Sequence, residues 1–434
     1  MGVDALERTA VKPDSDGLTG VRLHTRMPVT PAWLARYVVP VARALNEAGA
    51  PAVQLRRGWL HGPHVDILAR DATGVPGGGP DWEGVARALD AGPLDPPRAL
   101  TEETYLDQAR EFGRLEAVQP PYLPLREHGA VERIERAGQD GAVTRDPRLD
   151  RFRTVVHGAL TPALLRTVDD LAGEPGSGTL RLAEAFVALA DTHTLGLGYG
   201  VFSPRSHVEA FLAWAAPTKD VRPVFRERLA KDAPVLRRVV EQRLSGEVSA
   251  TAAAWRTGLA YGAGALESAV AAGTLTLDLL DGATAGLDRS EMGPPGATTV
   301  VPQGEQPDSD FHRTVGEAGV TSAPSPWFAS FRLLTNLFYE QLPLLTVSPM
   351  QRYYTCFAVA ETVDEVLGVS WRERIAANSA AANGRAADTG AGDSSAGNNS
   401  AADTRAANTS AGSTSSAAPA PSSAPGTAPE GALR

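Results

Sequence analysis

The part of the sequence that most constrains the fold is a pair of apolar helices predicted within residues 325–372. In the first of them, phenylalanine and leucine recur at helical spacing, which is typical of a helix that faces a protein core. The second is marked by Ser348 and Pro349 at its start and by Gly368 at its end, because these residue types favour helix termini. We therefore expect both helices in the interior of a globular domain.

The first of these helices also carries a polar stripe. Arg332, Asn336 and Tyr339 follow one another at i, i+4 and i+7, so they lie on one side of the helix. Two interpretations fit this spacing. Either the stripe faces solvent, or a buried helix directs a guanidinium, an amide and a phenol towards one site.

Composition limits the classes of function that are open to the chain. With 434 residues and 43% hydrophobic content it has ample material for a core, and its net charge of −10 disfavours a general nucleic-acid binder. Cys356 is the single cysteine, so neither an intramolecular disulfide nor a cysteine-based metal site is available, which predicts a cytoplasmic protein. The N-terminal residues lack an apolar signal segment, and no run of 18 apolar residues predicts a membrane span.

The order of predicted elements indicates an α+β fold. A strand at residues 21–27, a helix that Thr30 caps and a hairpin that turns at 61–63 predict a small N-terminal antiparallel sheet layer with helices. Residues 120–148 have no lasting period, so a long connection is expected there. A mainly helical region follows.

The helical region begins with three predicted helices, at about 150–157, 162–172 and 179–195. A glycine-rich turn then leads into a helix at 208–214, and further helices are predicted at about 220–245 and 251–273.

Shifts in composition predict the domain organisation. We expect a flexible N-terminus at 1–20 and a single domain at 21–375. Residues 281–326 are mostly glycine, proline, threonine and serine, which predicts an insertion loop within that domain. Residues 376–434 have no aromatic and almost no large aliphatic side chain, so they are expected to form a disordered tail.

Three familiar catalytic or binding patterns are present only in part. His61 and His64 are separated by a proline that breaks helical spacing, and no Cys or His partner is close in sequence, so a metal site is not predicted. The glycines from Gly196 to Gly200 follow a helix rather than a strand and lack the remaining residues of a phosphate-binding loop. Ser203 is not surrounded by a nucleophile-elbow sequence, so motifs do not support a hydrolase.

The run from Ser203 to His207 is a stronger candidate. It places two hydroxyls, the guanidinium of Arg205 and an imidazole where the glycine-rich turn enters the helix predicted from Val208. Free backbone N–H groups at such a point suit an oxygen that gains negative charge. The alternative is that Ser203 or Ser206 simply caps the helix.

Four passages of the sequence together resemble a known family. They are RRGWLHGPHVDILAR, GLGYGVFSPRSHVEAFL, FASFRLLTNLFYEQLPLLTVSP and QRYYTCFAVAETVDEVLGVSW. In this order they are similar to the stand-alone proteins related to the C-terminal elimination domain of lantibiotic dehydratases, and the last three look most like thiopeptide-maturation pyridine synthases. The resemblance covers most of residues 20–375, which would then form one catalytic domain of this type.

The resemblance implies a role in antibiotic biosynthesis on a ribosomally made peptide. The implied reaction is a formal aza-[4+2] cycloaddition between two dehydroalanines, followed by loss of water and expulsion of the leader peptide as an amide. The product is the pyridine of a thiopeptide macrocycle. No cofactor and no metal are implied, and the expected partners are the modified precursor peptide, made of leader and dehydrated core, and other enzymes of the pathway.

Residue chemistry and motif position suggest roles for the candidate residues within this reaction. We expect Arg332 and Ser206 to hold the amide oxygen, and Tyr339 or His207 to move protons. The remaining candidate catalytic residues are Asn336, which would orient its neighbours, and Ser203 and Arg205. The hairpin is expected to dock the peptide, with its arginines facing an acidic leader segment, through Arg56, Arg57, Trp59, His61 and His64.

Other classes of function fit the same resemblance. One is a lyase that eliminates glutamate from glutamylated serine or threonine. Another is a non-catalytic partner that binds the leader peptide, and a third is a peptide ligase that uses aminoacyl-tRNA, which the acidic balance of the chain makes less attractive.

Overall fold

The computed structural model describes residues 17–70, 79–116, 118–135, 147–216, 219–280, 309–319 and 325–379. The expected tail from 380 onward, most of the expected flexible N-terminus and much of the expected insertion loop lie outside the described residues. All structural statements below concern the described residues.

A four-stranded antiparallel sheet forms the N-terminal layer, in the strand order β2-β3-β1-β4. Its strands are β1 (Leu18–His24), β2 (Gln54–Gly58), β3 (His64–Arg70) and β4 (Val131–Ile134). One face carries buried apolar side chains that pack against the helices, among them Leu23, Leu55 and Ile67. Together with the helices that follow, this sheet confirms the predicted α+β class.

Two strand boundaries differ from the prediction. β1 begins at Leu18, inside the segment expected to be flexible, because it pairs with β3 along its whole length, from Leu18 opposite Arg70 to His24 opposite His64. β4 lies in the stretch predicted as an unstructured connection, since its few half-buried residues are too short a run to display a period of two.

The helices account for most of the remaining described residues. Those before the central region are α1 (Pro31–Tyr37), α2 (Val39–Glu47), α3 (Trp82–Ala88), α4 (Glu102–Glu116), α5 (Pro147–Gly173) and α6 (Gly178–Asp191). Those after it are α7 (Leu197–Gly200), α8 (Phe202–Ala215), α9 (Arg222–Ser245), α10 (Ala250–Ala271), α11 (Asp310–Glu317), α12 (Pro326–Tyr339) and α13 (Pro349–Leu367). Residues 371–379 form a last helical segment, α14.

The helix α5 corrects the prediction of two separate helices around Pro162. Proline removes one backbone hydrogen bond and usually ends a helix, but here α5 continues through it because both sides are buried against other elements. Gly158 lets the chain at Ala52 approach closely, since a Cβ there would lie 2.9 Å from the Ala52 Cα. Tertiary packing therefore overrides the local signal.

The start of α8 also differs from the prediction. It begins at Phe202, directly after the short helix α7, so Ser203 to His207 lie in its first turns instead of preceding it. No side chain caps α8. Gly196, at φ +79°, permits the turn into α7, and Gly200 packs where any Cβ would collide with the Ala190 carbonyl oxygen.

Helix α11 lies inside the stretch predicted as an insertion loop. Ser309 caps it by accepting a hydrogen bond from the backbone N–H of His312 at 3.2 Å, and Phe311 and Val315 form its buried side. The glycine- and proline-rich residues on either side obscure this short amphipathic pattern in the sequence.

The predicted apolar helix pair is confirmed. Ser348 caps α13 by accepting a hydrogen bond from the Gln351 N–H at 3.1 Å, and Gly368 ends it at φ +64°. α12 packs against α5 and α10, whereas α13 packs against α6, α8 and α9. None of the described helices is long and apolar enough to cross a membrane.

Candidate active site

An apolar cavity of about 240 Å³ lies between the first half of α12 and the chain that leads from α6 into α8. Side chains of α10 and α14 complete its wall. Phe331 and Leu334 of α12 face Phe202 and Tyr199 across it. These are the two elements in which the sequence places its candidate catalytic residues.

His193 is the imidazole that lines this cavity. Its ring lies edge-on to Phe331, with ring centroids 4.9 Å apart, and its Nδ1 accepts a hydrogen bond from the Leu195 N–H at 3.1 Å. The proton of the neutral ring is therefore on Nε2. Burial lowers the pKa of His193 below its ordinary value, so the ring is neutral near pH 7.

The rim of the cavity is apolar and exposed. Leu195, Trp327 and Phe328 all line the cavity and are 52%, 46% and 42% exposed. Glu267 adds a carboxylate to the lining. Large apolar side chains that stay accessible beside a cavity are typical of a surface that binds a partner or a substrate.

A cluster of rings from α8, α12 and α13 lies further along the same helices. His207 stacks on Tyr353 and lies against Tyr339, with ring centroids 5.0 Å and 5.2 Å apart. Phe211 also stacks on Tyr353, with ring centroids 4.0 Å apart. Since a helix rises by about 1.5 Å per residue, His207 is within roughly 8 Å along α8 of Phe202 in the cavity wall. We call His207, Phe211, Tyr339 and Tyr353, with Arg352, the ring cluster.

The deepest group of the ring cluster is the Tyr339 hydroxyl. It lies 3.4 Å from the Cys356 Sγ in the core. Burial raises the pKa of Tyr339 well above its ordinary value and raises the pKa of the Cys356 thiol to about 12. Both groups therefore keep their protons across the physiological pH range, and neither is a nucleophile there.

Arg352 is a member of the ring cluster that the sequence analysis does not single out. Its guanidinium lies over the rings of Tyr339 and Tyr353, with centroid distances of 5.2 Å and 5.3 Å. Its Nε is buried, and no described residue accepts a hydrogen bond from it. No described carboxylate forms an ion pair with Arg352 either. Its position directly before two tyrosines in the helix is the only signal in the sequence.

A chain of three polar side chains links α8 to α11. The Ser206 Oγ lies 2.9 Å from His312 Nε2, and His312 Nδ1 lies 2.6 Å from the Ser309 Oγ. Burial lowers the pKa of His312 below its ordinary value, although Glu209 opposes this shift. His312 was not predicted, because its contact with Ser206 joins two parts of the chain that are far apart in sequence. The serine three residues before it, at a helix-capping spacing, is the available clue.

The remaining candidate catalytic residues are not brought together. Arg332 and Asn336 are exposed on α12, as in the solvent-facing interpretation, while Tyr339 is buried. Arg205 is 2% exposed, and its guanidinium donates to Glu361 at 2.6 Å and to Asp364 at 2.9 Å. None of the predicted catalytic residues lines the cavity, although Ser206 and His207 begin one turn beyond Phe202.

The predicted docking hairpin is largely engaged with the protein itself. Arg57 donates to the Pro343 carbonyl oxygen at 3.0 Å, and burial lowers the pKa of its guanidinium. Arg56 donates to Gln54 at 3.2 Å. His64 is 3% exposed, and burial lowers its pKa to about 4. The Arg57 contact anchors the hairpin to the segment that follows α12.

The tip of the hairpin has a different character. Trp59 packs against Phe112 and Tyr122, with ring centroids 5.6 Å and 5.7 Å apart. Phe112 is 39% exposed, so part of this aromatic surface is accessible. His61 occupies the left-handed region at φ +63°, which places it in the turn. Among the described residues no group of three or more His, Cys, Asp or Glu side chains has a metal-binding arrangement.

The whole arrangement, a helical domain with a small N-terminal sheet, is shared with two solved structures. The fold is similar to that of TbtD, the pyridine synthase from thiomuracin biosynthesis, with a TM-score of 0.55 and 19% identity over 81% of this chain and 99% of that chain. It is also similar to TsrL, with a TM-score of 0.50 and 15% identity over 82% of this chain and 97% of that chain. The chain therefore has a fold of the thiopeptide pyridine-synthase type.

Two comparisons of the chain with known proteins gave no match. No protein-family model matches the chain, and no curated protein matches it. At 15–19% identity, the shared feature is the fold.

Proposed function

We propose that this protein is a pyridine-forming cyclase that acts on a dehydrated ribosomal peptide. In the proposed reaction two dehydroalanines combine by a formal aza-[4+2] cycloaddition, one of them as its iminol tautomer. Loss of water and of the leader as a carboxamide then gives the aromatic ring. The observation that carries this proposal is the similarity to a pyridine synthase that extends over 99% of that chain.

The cavity suits the binding step of this reaction. Its walls are apolar and aromatic, and about 240 Å³ accommodates a short piece of peptide rather than a whole macrocycle. Holding two distant alkenes in near-attack geometry contributes roughly 7–11 kcal/mol to such a reaction. Trp327 and Phe328, at the rim, are suited to hold the peptide on either side of the reacting residue.

The ring cluster suits the proton transfers. An imidazole is the side chain that most readily takes up and releases a proton near neutral pH. His207 lies between Tyr339 and Tyr353 and is half-buried, so a bound peptide reaches it from the cavity side. We assign proton movement to His207 and the role of a neutral neighbour to Tyr339, whose raised pKa disfavours the phenolate.

The amide oxygen of the peptide requires hydrogen-bond donors. Ser206 keeps this role in our proposal, but the cation is Arg352 rather than Arg332. Arg332 is exposed, whereas the Arg352 guanidinium is held by two rings and its Nε lacks a described acceptor. Arg205, Ser203 and Asn336 then support α8 and α12 without touching the reacting atoms.

The leader peptide is proposed to bind at the hairpin tip. Trp59 and Phe112 provide an accessible aromatic surface there, and His61 is half-buried in the turn that follows Trp59. Arg56 and Arg57 give the hairpin its positive charge, although Arg57 also fixes it to the Pro343 carbonyl.

The test uses a series of synthetic peptides in which a leader precedes two dehydroalanines at different separations. Incubation with the full-length protein is expected to release the leader carboxamide and a cyclic product that has also lost one water, which mass spectrometry detects directly. A peptide with serine in place of the second dehydroalanine is the control and should not react.

A second peptide distinguishes the lyase. If the protein instead eliminates glutamate from a glutamylated serine and leaves the dehydrated peptide unchanged, the cyclase proposal is wrong. Binding of the leader without any mass change in either peptide would identify a non-catalytic partner.

A further inference from the structure

The chain of hydrogen bonds from Ser206 through His312 to Ser309 has a definite direction. Ser309 is buried, and its Oγ has two described neighbours, the backbone N–H and the ring Nδ1 of His312. The backbone N–H is a donor, so among the described residues Nδ1 is the one acceptor for the Ser309 hydroxyl hydrogen. Ser309 therefore donates to Nδ1.

This direction fixes the state of the imidazole. With Nδ1 as the acceptor, the proton of the neutral His312 ring is on Nε2. Nε2 then donates to the Ser206 Oγ, 2.9 Å away. Ser206 is thus an acceptor in this contact, and its own hydroxyl hydrogen has no acceptor among the described residues.

Ser206 is placed to use that hydrogen on a ligand. Its side chain is half-buried, and it lies one helical turn after Phe202, which lines the cavity. Phe311, the neighbour of His312 in α11, contacts Phe202 with ring centroids 5.8 Å apart. The three polar groups therefore lie beside the cavity wall.

We propose that His312 and Ser309 hold Ser206 as a hydrogen-bond donor to a backbone carbonyl oxygen of the peptide bound in the cavity. A hydroxyl that accepts a hydrogen bond is a stronger donor, because neighbouring hydrogen bonds polarise one another. As negative charge grows on the peptide oxygen, the Ser206 hydroxyl donates a stronger hydrogen bond to it, because the same hydroxyl accepts a hydrogen bond from His312 Nε2–H. The identity of the peptide rests on the proposed function, but the donor arrangement does not.

This assignment makes α11 part of the active site. Both positioning residues come from residues 309–319, between stretches of the chain that lie outside the described part of the structure. His312 and Ser309 touch neither cavity nor peptide in this arrangement. They act through Ser206.

The first experiment reads the direction of the hydrogen bonds without any substrate. In protein labelled with ¹⁵N-histidine, His312 is expected to carry its proton on Nε2, and the spectrum of His312→Gln identifies its signal among the eight histidines. Ser309→Ala is expected to shift His312 towards a mixture of tautomers. A proton on Nδ1 in the wild type would overturn the inference, because Ser206 would then donate to the ring.

The second experiment measures the consequence with the dehydrated peptide. Ser206→Ala is expected to lower kcat by about 10²–10³-fold, as the loss of an oxyanion donor does, with a much smaller change in KM. Ser309→Ala is expected to lower kcat about 10-fold, and Ser206→Thr to restore part of it. The control is Ser268→Ala, an exposed serine of α10 that donates only within its own helix.

The outcomes separate this inference from the proposed function. If the wild type cyclises the peptide and both Ser206→Ala and Ser309→Ala do so at the same rate, the inference is overturned and the proposed function stands. If the wild type binds the peptide without cyclising it, and Ser206→Ala binds several-fold more weakly by calorimetry, the inference stands and the proposed function is overturned. No binding by the wild type overturns both.

Discussion

The two ends of α13 differ in whether their charged side chains form ion pairs. Near its C-terminal end, Glu361 and Asp364 hold Arg205 of α8, and Asp364 also holds Arg374 of α14. Near its N-terminal end, Arg352 contacts the rings of Tyr339 and Tyr353 and forms no ion pair with a described residue. One end of the helix is an ion-pair network, whereas the other presents a cation without a described carboxylate.

The difference matches the structural role that we assign to one end and the ligand-binding role that we propose for the other. Burying a charge is costly unless an opposite charge and hydrogen bonds compensate it, as they do around Arg205. Arg352 has no such ion pair among the described residues, and in the proposed function a bound oxygen would supply its partner. A similar contrast separates Arg205 from its sequence neighbour Ser206. The Arg205 guanidinium is paired with two carboxylates, whereas the Ser206 hydroxyl hydrogen has no acceptor among the described residues.

The strongest test of this comparison is the replacement of Arg205 by methionine. The substitution removes both ion pairs of a buried guanidinium, while Asp364 keeps Arg374 and Glu361 stays partly hydrated, so we expect a loss of about 2 kcal/mol in the free energy of unfolding. Urea denaturation monitored by tryptophan fluorescence measures it. The matched control is Arg237→Met in the exposed pair with Glu365, which should cost less than about 1 kcal/mol. Equal losses in the two variants would contradict the structural role.

A second test uses pH on the contact between α5 and α12. His157 Nε2 donates to the Leu337 carbonyl oxygen at 3.1 Å, and burial, opposed by Glu340, lowers the pKa of His157 to about 4. Because the unfolded chain binds the proton first, this contribution to stability is complete above pH 6.5 and is lost as the pH falls to 4.

We expect the wild type to lose about 2 kcal/mol more stability between pH 7 and 4.5 than His157→Gln, which keeps a donor but does not titrate. Denaturation curves at the two pH values provide the comparison. Parallel losses in both proteins would show that His157 does not carry this part of the acid sensitivity.

A third and smaller effect is expected from Tyr339→Phe. The substitution removes one hydroxyl that contacts the Cys356 Sγ, so the free energy of unfolding should fall by about 1 kcal/mol. Because its raised pKa keeps this phenol neutral, cyclisation should slow by less than 10-fold. A loss of activity as large as that of His207→Ala would instead identify Tyr339 as the proton carrier.

The smallest effect on stability is expected from Arg352→Met. Only cation–π contacts are lost, which amounts to about 0.5–1 kcal/mol. Cyclisation should nevertheless fall by about 10²-fold if the guanidinium holds a peptide oxygen. The sequence analysis assigns this role to Arg332. Whichever of Arg352→Met and Arg332→Met lowers the rate of cyclisation more identifies the arginine that holds the peptide oxygen. Arg166→Met, an exposed arginine of α5, is the neutral control for both.

Local signals in the sequence predicted much of the fold. Thr30 and Ser348 cap their helices as expected, with hydrogen bonds from Trp33 and Gln351, because a cap depends on residues only three positions apart. Where a long-range contact decides, the prediction is wrong. α5 passes through the exposed Pro162 because Thr161 and Ala163 on either side are buried, and β4 exists because β1 pairs with it.

The candidate site was harder to predict than the fold, for the same reason. Helical spacing places Arg332, Asn336 and Tyr339 on one side of α12 but does not tell which of the three is buried, and only Tyr339 is. The contact of Ser206 with His312 spans more than a hundred residues, and no local pattern encodes it. The sequence thus locates the elements around the cavity more reliably than the side chains that act there.

The small size of the cavity has a consequence for the proposed reaction. A space of about 240 Å³ would enclose only the joining residues, so the loop of peptide between them would stay in water. Lengthening that loop to twice its size then costs only about 0.6 kcal/mol of closure entropy. One catalyst of this shape would accept precursors of many lengths, and diversity of ring size in its products would arise from the genes for the precursors.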